Sequence, residues 1–226
     1  MFIPVNRKVL AASMALLVAA SAHSASILVN GSFESNSAGG SLFNPGNDTF
    51  NTAMNAVTAF GARQGIDIQT FGSGYGQSPQ NGAWKVSPAS DAGGQSEEFS
   101  MNLTGQMIAG ASYQLSFYIE RLSNGPFNGG TVQIGVSSSA NGFGTQVASA
   151  TAPSSGWLLS STSFVSPVAA TYLTVRLTTV QSSWVGLDNF VLTGPTVAVP
   201  EPGTAVLLLM GLAVCRLFVG GTTLRA

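Results

Sequence analysis

Between Ser26 and Pro195 apolar and polar residues alternate over short runs that are broken by Gly, Asn, Ser and Pro. In ASYQLSFYIER, Tyr113, Leu115, Phe117 and Ile119 fall on one side, and Gln114, Ser116, Tyr118 and Glu120 on the other, which is the period of a half-buried strand. The same period marks TVQIGVS from Thr131, WLLSSTSFV from Trp157, TYLTVRLTTV from Thr171 and SWVGLDNFVLT from Ser183. Weaker strands are expected at Ile27 to Phe33, Gly65 to Thr70, Ala83 to Val86 and Glu97 to Leu103. No sustained helical period appears outside the two ends. The pattern predicts an all-β body built as a two-sheet antiparallel β-sandwich, flanked by an N-terminal signal helix and a C-terminal hydrophobic helix. Its expected core is Tyr113, Leu115, Phe117, Val132, Ile134, Leu173, Val175, Leu177, Val185, Leu187, Phe190 and Leu192. The segments SNSAGGSLFNPGNDTFN (Ser35 to Asn51) and FGSGYGQSPQNG (Phe71 to Gly82) read as long loops, the usual place for binding on a rigid sandwich.

The ends differ from the body. Arg7 and Lys8 precede a short apolar stretch, Val9 to Ala20, and then small residues, the order of a secretory signal, with cleavage after Ala22 preferred to Ala25. Near the other end, Pro200 and Pro202 stop regular structure, and an uncharged run from Ala205 to Cys215 is followed by Arg216. From Thr204 to Val219 this tail is barely long enough to cross a bilayer, so a short transmembrane helix is expected. The division is therefore a signal peptide over 1–25, a β-sandwich domain over 26–196 and a tail over 197–226.

Charge and residue counts exclude several functions. The chain carries 8 Lys and Arg against 9 Asp and Glu. Within the body four basic residues (Arg63, Lys85, Arg121, Arg176) face eight acidic ones, a net of minus four, with no basic patch for nucleic acid. The only Cys is Cys215 in the tail, so stability must come from packing rather than a disulfide. The only His is His23, beside the cleavage site, which deprives the body of an imidazole base for a triad or a typical zinc site. Asp67, Asp91, Glu97, Glu98 and Glu120 are the carboxylates from which a glycosidase pair would be drawn, and nothing in their spacing selects two. Glu97 and Glu98 are adjacent and would point to opposite faces of a strand. A non-enzyme is expected.

The tail VPEPGTAVLLLMGLAVCR resembles the PEP-CTERM sorting signal of Gram-negative bacteria: Val199-Pro200-Glu201-Pro202, an apolar span with Gly211-Leu212, then Arg216. The same tail family is also named for ice-binding proteins, a name for the tail and not an activity. The resemblance implies that Pro200, Glu201, Pro202 and Arg216 form a sorting motif read by an exosortase. It further implies a membrane-anchored intermediate and a final place at the cell surface or in the extracellular matrix, in a host that makes exopolysaccharide. The family usually closes with an Arg cluster, whereas here Arg216 stands alone before GGTTLRA.

In the body, ILVNGSFES (Ile27 to Ser35), VGLDNFVLT (Val185 to Thr193) and the central LTGQMIAGASYQLSFYIERLS resemble galactose-binding-like jelly rolls, which include many carbohydrate-binding modules. That resemblance implies carbohydrate or exopolysaccharide binding without catalysis. It also implies a structural calcium at Glu34 and Asp188, hard oxygen ligands from distant strands. The alternative at these two positions is that Glu34 hydrogen-bonds a turn and Asp188 caps a bulge. Sugar stacking has aromatic candidates in Tyr75, Trp84, Phe127, Trp157 and Trp184. Trp157 and Trp184 begin strands and are expected in the core, while Tyr75 and Phe127 lie in Gly-rich loops and are the expected carbohydrate contacts. The other functional class open to such a body is a structural or adhesive matrix protein without a specific ligand.

Overall fold

A computed structural model describes residues 25–197. The signal segment and the tail, with Pro200, Glu201, Pro202, Cys215, Arg216 and both expected terminal helices, lie outside the described residues. Within them the chain is all-β apart from one short helix, and every strand pairing is antiparallel. In chain order the elements are α1 (Asn47–Ala53), β1 (Val57–Ala59), β2 (Asp67–Thr70), β3 (Trp84–Ser87), β4 (Ala89–Ser90), β5 (Glu98–Asn102), β6 (Gln106–Met107) and β7 (Ser112–Arg121). They continue as β8 (Ser123–Asn124), β9 (Phe127–Asn128), β10 (Thr131–Ser137), β11 (Thr145–Thr151), β12 (Trp157–Val165), β13 (Tyr172–Leu177), β14 (Ser183–Thr193) and β15 (Thr196–Val197).

Two main sheets share one core. The first runs β1-β5-β13-β10-β11 and the second β12-β7-β14-β3-β2, with β4 attached to β14. The inward positions of β7 and β14 on one side, and of β5, β10 and β13 on the other, belong to a single buried apolar cluster. Every one of the twelve core positions named from the alternation is buried. Phe117 and Phe190 stack at 4.7 Å between centroids, and Phe33 packs edge-on against both Phe99 and Phe190, tying the two layers together.

Several expectations are corrected. Ile27 to Phe33 is not a strand: it makes one isolated bridge, Leu28 with Leu103, and then turns at Phe33, whose φ is 61°. The turn places the Phe33 ring in the core rather than on a pleat. The Ser35 to Asn51 segment is not wholly a loop, because α1 begins at Asn47 and buries Phe50. Strands β1 and β11 carry too little alternation to be read: β1 is three residues long and β11 is a largely exposed edge strand. The half-buried strand read at Trp157 is the exposed edge strand β12, with Leu158, Leu159 and Val165 open to solvent. Trp157 is only partly buried, and its Nε1 donates 2.9 Å to the Ser78 carbonyl.

The outer face of the second sheet departs most from simple alternation. Glu120, Lys85, Gln69 and Asp188 point away from the apolar core yet are all buried. They are covered by residues 71–83, an extended strap whose own side chains are mostly exposed.

Candidate functional site

The strap is fastened by side chains from β3, β7 and β14 and from the segment before α1. Lys85 Nζ donates to Glu120 Oε1 at 2.6 Å, to the Gln77 carbonyl at 2.6 Å and to the Tyr75 carbonyl at 3.0 Å, which uses all three ammonium hydrogens. Glu120 Oε2 accepts from the Gln77 amide at 2.7 Å. Gly76, with φ +69°, sits so close to Leu122 and Glu120 that a β-carbon would collide with both. Burial lifts the Glu120 carboxyl above its ordinary range, and the Lys85 ammonium and Gln77 amide pull it back toward the charged form.

Glu34 and Asp188 hold the far end of the strap. Glu34 Oε1 accepts from the Ala83 and Trp84 amides, both at 2.9 Å. Asp188 Oδ2 accepts from the Gln80 and Asn81 amides at 2.7 and 2.9 Å, and its Oδ1 from the Asn189 amide at 2.6 Å. Asn189 has φ 51°, and the β7–β14 register shifts between Asp188 and Val191, so Asp188 does cap a bulge and Glu34 does hold a turn. Burial, with a smaller push from Glu34, raises the Asp188 carboxyl to about 6 against the pull of the three amides. Were calcium held here, the two residues would offer it hard oxygens from distant segments, and their mutual repulsion is what the cation would relieve. Glu34 Oε1 and Asp188 Oδ2 each already accept two amides, so Glu34 Oε2 and Asp188 Oδ1 are the oxygens with capacity left. Among the described residues no group of three or more His, Cys, Asp or Glu gathers at one point.

At one end of the second sheet, where β14 and β2 begin and β7 ends, a cleft of about 390 Å³ opens. It is assembled from separate segments of chain. The loop before α1 brings Phe43 and Asn44, the β1–β2 connection brings Arg63, β2 brings Asp67 and the strap brings Tyr75. Asn124 and Phe127 come from the β8–β9 hairpin, and Trp184 from β14. The hairpin is set by Gly125, whose φ of 58° allows the tight turn before Pro126. The structure thus brings Tyr75 and Phe127 to the same cleft.

Tyr75 stands between two other rings. It meets Phe43 at 5.5 Å and Trp184 at 5.2 Å between centroids, both edge-to-face. Trp184 is largely buried, as expected of a strand residue, but it packs in a small satellite cluster with Ala89 and Leu122 that forms the cleft wall rather than in the main core. Phe127 packs against that satellite and carries the Arg63 guanidinium 5.0 Å above its ring. Trp157 and Trp84, the other aromatic candidates, do not line the cleft; Trp157 belongs to the anchoring of the strap.

The polar members are Asn44, Asn124, Asp67 and Arg63. Asp67 is buried and engaged: its Oδ1 accepts from the Asn44 amide at 2.7 Å and its Oδ2 from Gln69 Nε2 at 3.2 Å, while burial raises its carboxyl above the usual range. Behind the cleft Glu97 is 1% exposed and accepts from the Ala89 amide at 2.7 Å. Arg63 Nε lies 3.2 Å from Glu97 Oε1 but out of line, so the two make an ion contact and both buried atoms lack a hydrogen-bond partner. Burial pushes the Glu97 carboxyl up to about 8, with the Asp67 charge adding to the rise. Sequence reasoning missed Phe43, Arg63 and Asn124, whose shared cleft depends on tertiary contacts that no local pattern records. Glu98 points away from Glu97 toward a separate polar depression that it lines with Arg176.

No protein-family model matches the chain, and no curated protein sequence does. Carbohydrate-binding modules recur among its structural neighbours. The chain is similar to the N-terminal CBM22-1–CBM22-2 tandem domain of Paenibacillus barcinonensis Xyn10C at 16% identity and a TM-score of 0.45, over 82% of this chain and 49% of that one. It is similar to the K2 cleaved adhesin domain of Lys-gingipain at 17% identity and a TM-score of 0.45, over 72% of this chain and 95% of that domain. TmCBM61 in complex with β-1,4-galactotriose gives 16% identity and a TM-score of 0.35, over 75% of this chain and 99% of that one. The chain spans about half the length of the tandem it matches.

Proposed function

We propose that the β-sandwich is a non-catalytic carbohydrate-binding body of galactose-binding-like, jelly-roll type, and that its ligand site is the cleft around Tyr75. One observation carries this reading: Tyr75, edge-to-face with Phe43 on one side and Trp184 on the other, and Phe127 nearby share a cleft of about 390 Å³ with two side-chain amides, a carboxylate and a guanidinium. A sugar ring has the complementary surface. Its C–H faces are apolar and slightly positive and suit the negative face of an aromatic ring, while its hydroxyls suit amides and charged groups. The carboxyl groups beside the cleft support binding over hydrolysis, because both Asp67 oxygens are committed to internal donors and Glu97 is sealed behind Arg63.

The test is retention of the full chain on a glycan array, followed by the same measurement on Tyr75→Ala. Specific retention lost in the variant supports the assignment. Equal retention of both, or hydrolysis of model glycosides, overturns it. Absence of retention on any glycan leaves the adhesive matrix role as the better account.

The resemblance at the two ends supports an exported protein that is sorted through Pro200-Glu201-Pro202, with an exosortase as its processing partner and an exopolysaccharide-rich surface or matrix as its destination. Mass spectrometry of the exported chain tests this part alone. An end before Pro200 or within the motif is expected, and an exported form with Pro-Glu-Pro and the full tail intact contradicts it. Calcium at Glu34 and Asp188 belongs to the same proposal. There it would stiffen the strap, while those carboxylates would keep their amide contacts.

A further inference from the structure

We infer that the cleft selects an acidic saccharide, one whose ring carries a carboxylate, and that the Arg63 guanidinium is the group that recognises it. This rests on the carbohydrate reading of the cleft and adds the class of sugar.

The described body holds four cationic side chains, and three are occupied elsewhere. Lys85 spends all its hydrogens under the strap, Arg121 Nε donates to Asn128 Oδ1, and Arg176 Nε donates to Gln133 Oε1. Arg63 is the one that lines the cleft, and its Nε, 3.2 Å from Glu97 Oε1 but out of line, is left without a hydrogen-bond partner. A guanidinium offers five donors in a planar fork, the geometry that matches a carboxylate through two parallel bonds.

Arg63 is also held in place before any ligand arrives. Its backbone amide donates to the Ser96 carbonyl, and the preceding Phe60 and Gly61 amides both donate to the Glu98 carbonyl. The Phe127 ring supports the plane of the guanidinium from one side. Its side chain is 25% exposed and lines the cleft, while Nε is buried against Glu97.

Neither nearby carboxyl satisfies that fork. Glu97 lies out of line, so its ion contact with Arg63 leaves both Arg63 Nε and Glu97 Oε1 without a hydrogen-bond partner. Asp67 turns its two oxygens to Asn44 and Gln69. A neutral sugar would leave the donors of Arg63 to water. A carboxylate-bearing sugar would pair with them while its ring lies against Tyr75 or Phe127.

Matched ligands test the inference. The full chain is titrated with an oligogalacturonate, with the same oligomer as its methyl ester and with a neutral oligogalactan, and dextran sulfate serves as a control for general anion attraction. The acid is expected to bind at least about tenfold more tightly than its ester, and Arg63→Gln to abolish that difference. Arg63→Lys keeps the charge but loses the fork and should retain only a small part of the preference, which carries the test if Arg63→Gln fails to fold. Equal affinity for acid and ester, an undiminished preference in either variant, or equally tight dextran sulfate overturns the inference with carbohydrate binding intact. No binding of any of the sugars overturns the inference, and the glycan array decides the underlying reading separately.

Discussion

Lys85 Nζ lies 2.6 Å from Glu120 Oε1, and both side chains are completely or almost completely shielded from water although they stand on the outward side of their sheet. The pair is shielded because the strap crosses it, and the strap stays there because the pair supplies acceptors and donors for its backbone. Tyr75 belongs to that strap. One wall of the cleft is thus positioned by an ion pair that no cleft ligand needs to touch.

Removing one partner should cost more than removing both. Lys85→Met leaves the Glu120 carboxylate buried without its counter-ion, a loss of about 3–5 kcal/mol, whereas Lys85→Met with Glu120→Met should lose clearly less. Urea denaturation gives the two values, and hydrogen exchange at the amides of 75–77 should accelerate in the single variant. Equal losses in single and double variants would show that the pair is not coupled.

Tyr75 is 38% exposed, so its truncation should be felt in binding rather than in folding. Tyr75→Ala and Phe127→Ala are each expected to weaken glycan retention about tenfold, near 1.4 kcal/mol, with stability changed by less than about 1 kcal/mol. Val180→Ala, on a residue 87% exposed and outside the cleft, should do neither.

The pH dependence of stability should run opposite to that of most acidic proteins. Glu97 titrates at about 8 when folded against an ordinary 4.5, and Asp188 at about 6 against 3.8. The folded state therefore holds these protons more tightly than the unfolded chain. The resulting stabilisation is complete below the unfolded values and is lost as pH rises through about 6 for Asp188 and about 8 for Glu97. Melting temperature should fall from pH 4 to pH 8. Glu97→Gln should flatten the part of the decline between pH 6 and 8, with a gain on the order of 2–4 kcal/mol at the upper end. A melting temperature that rises over this range would refute the assignment.

Calcium gives a separate thermal signature. If Glu34 and Asp188 bind the ion, millimolar Ca²⁺ raises the melting temperature, a chelator lowers it, and Asp188→Asn abolishes the response. The effect should be largest above pH 6, where Asp188 would otherwise repel Glu34. A melt indifferent to chelator removes calcium from the account.

How far the sequence could be read depended on whether neighbours in space were also regular in sequence. Strands β7, β10, β13 and β14 announce themselves because each has one face on the apolar core, and alternation reports that face directly. Glu120 obeys the same alternation and is nevertheless buried, since the strap that covers it is a Gly-rich segment with no period of its own. Tyr75 and Phe127 could be picked as loop aromatics. Their partners could not: Phe43 sits in another loop, Trp184 reads as core, and Arg63 has nothing local to mark it. Phe33 shows the reverse case, where the motif that suggested a first strand instead encodes a left-handed turn that delivers a ring to the core.

Strand β14 enters at Trp184 in the cleft wall and leaves at Thr193, beside Ile27, whose amide donates to the Leu192 carbonyl. Tyr113 donates to the Pro195 carbonyl there, and β15 pairs with β6 at the same end. At about 3.3 Å per residue the strand separates these two ends by roughly 30 Å. A molecule moored through Val197 would therefore hold the cleft at the far pole of the sandwich, with the sandwich itself serving as the stalk.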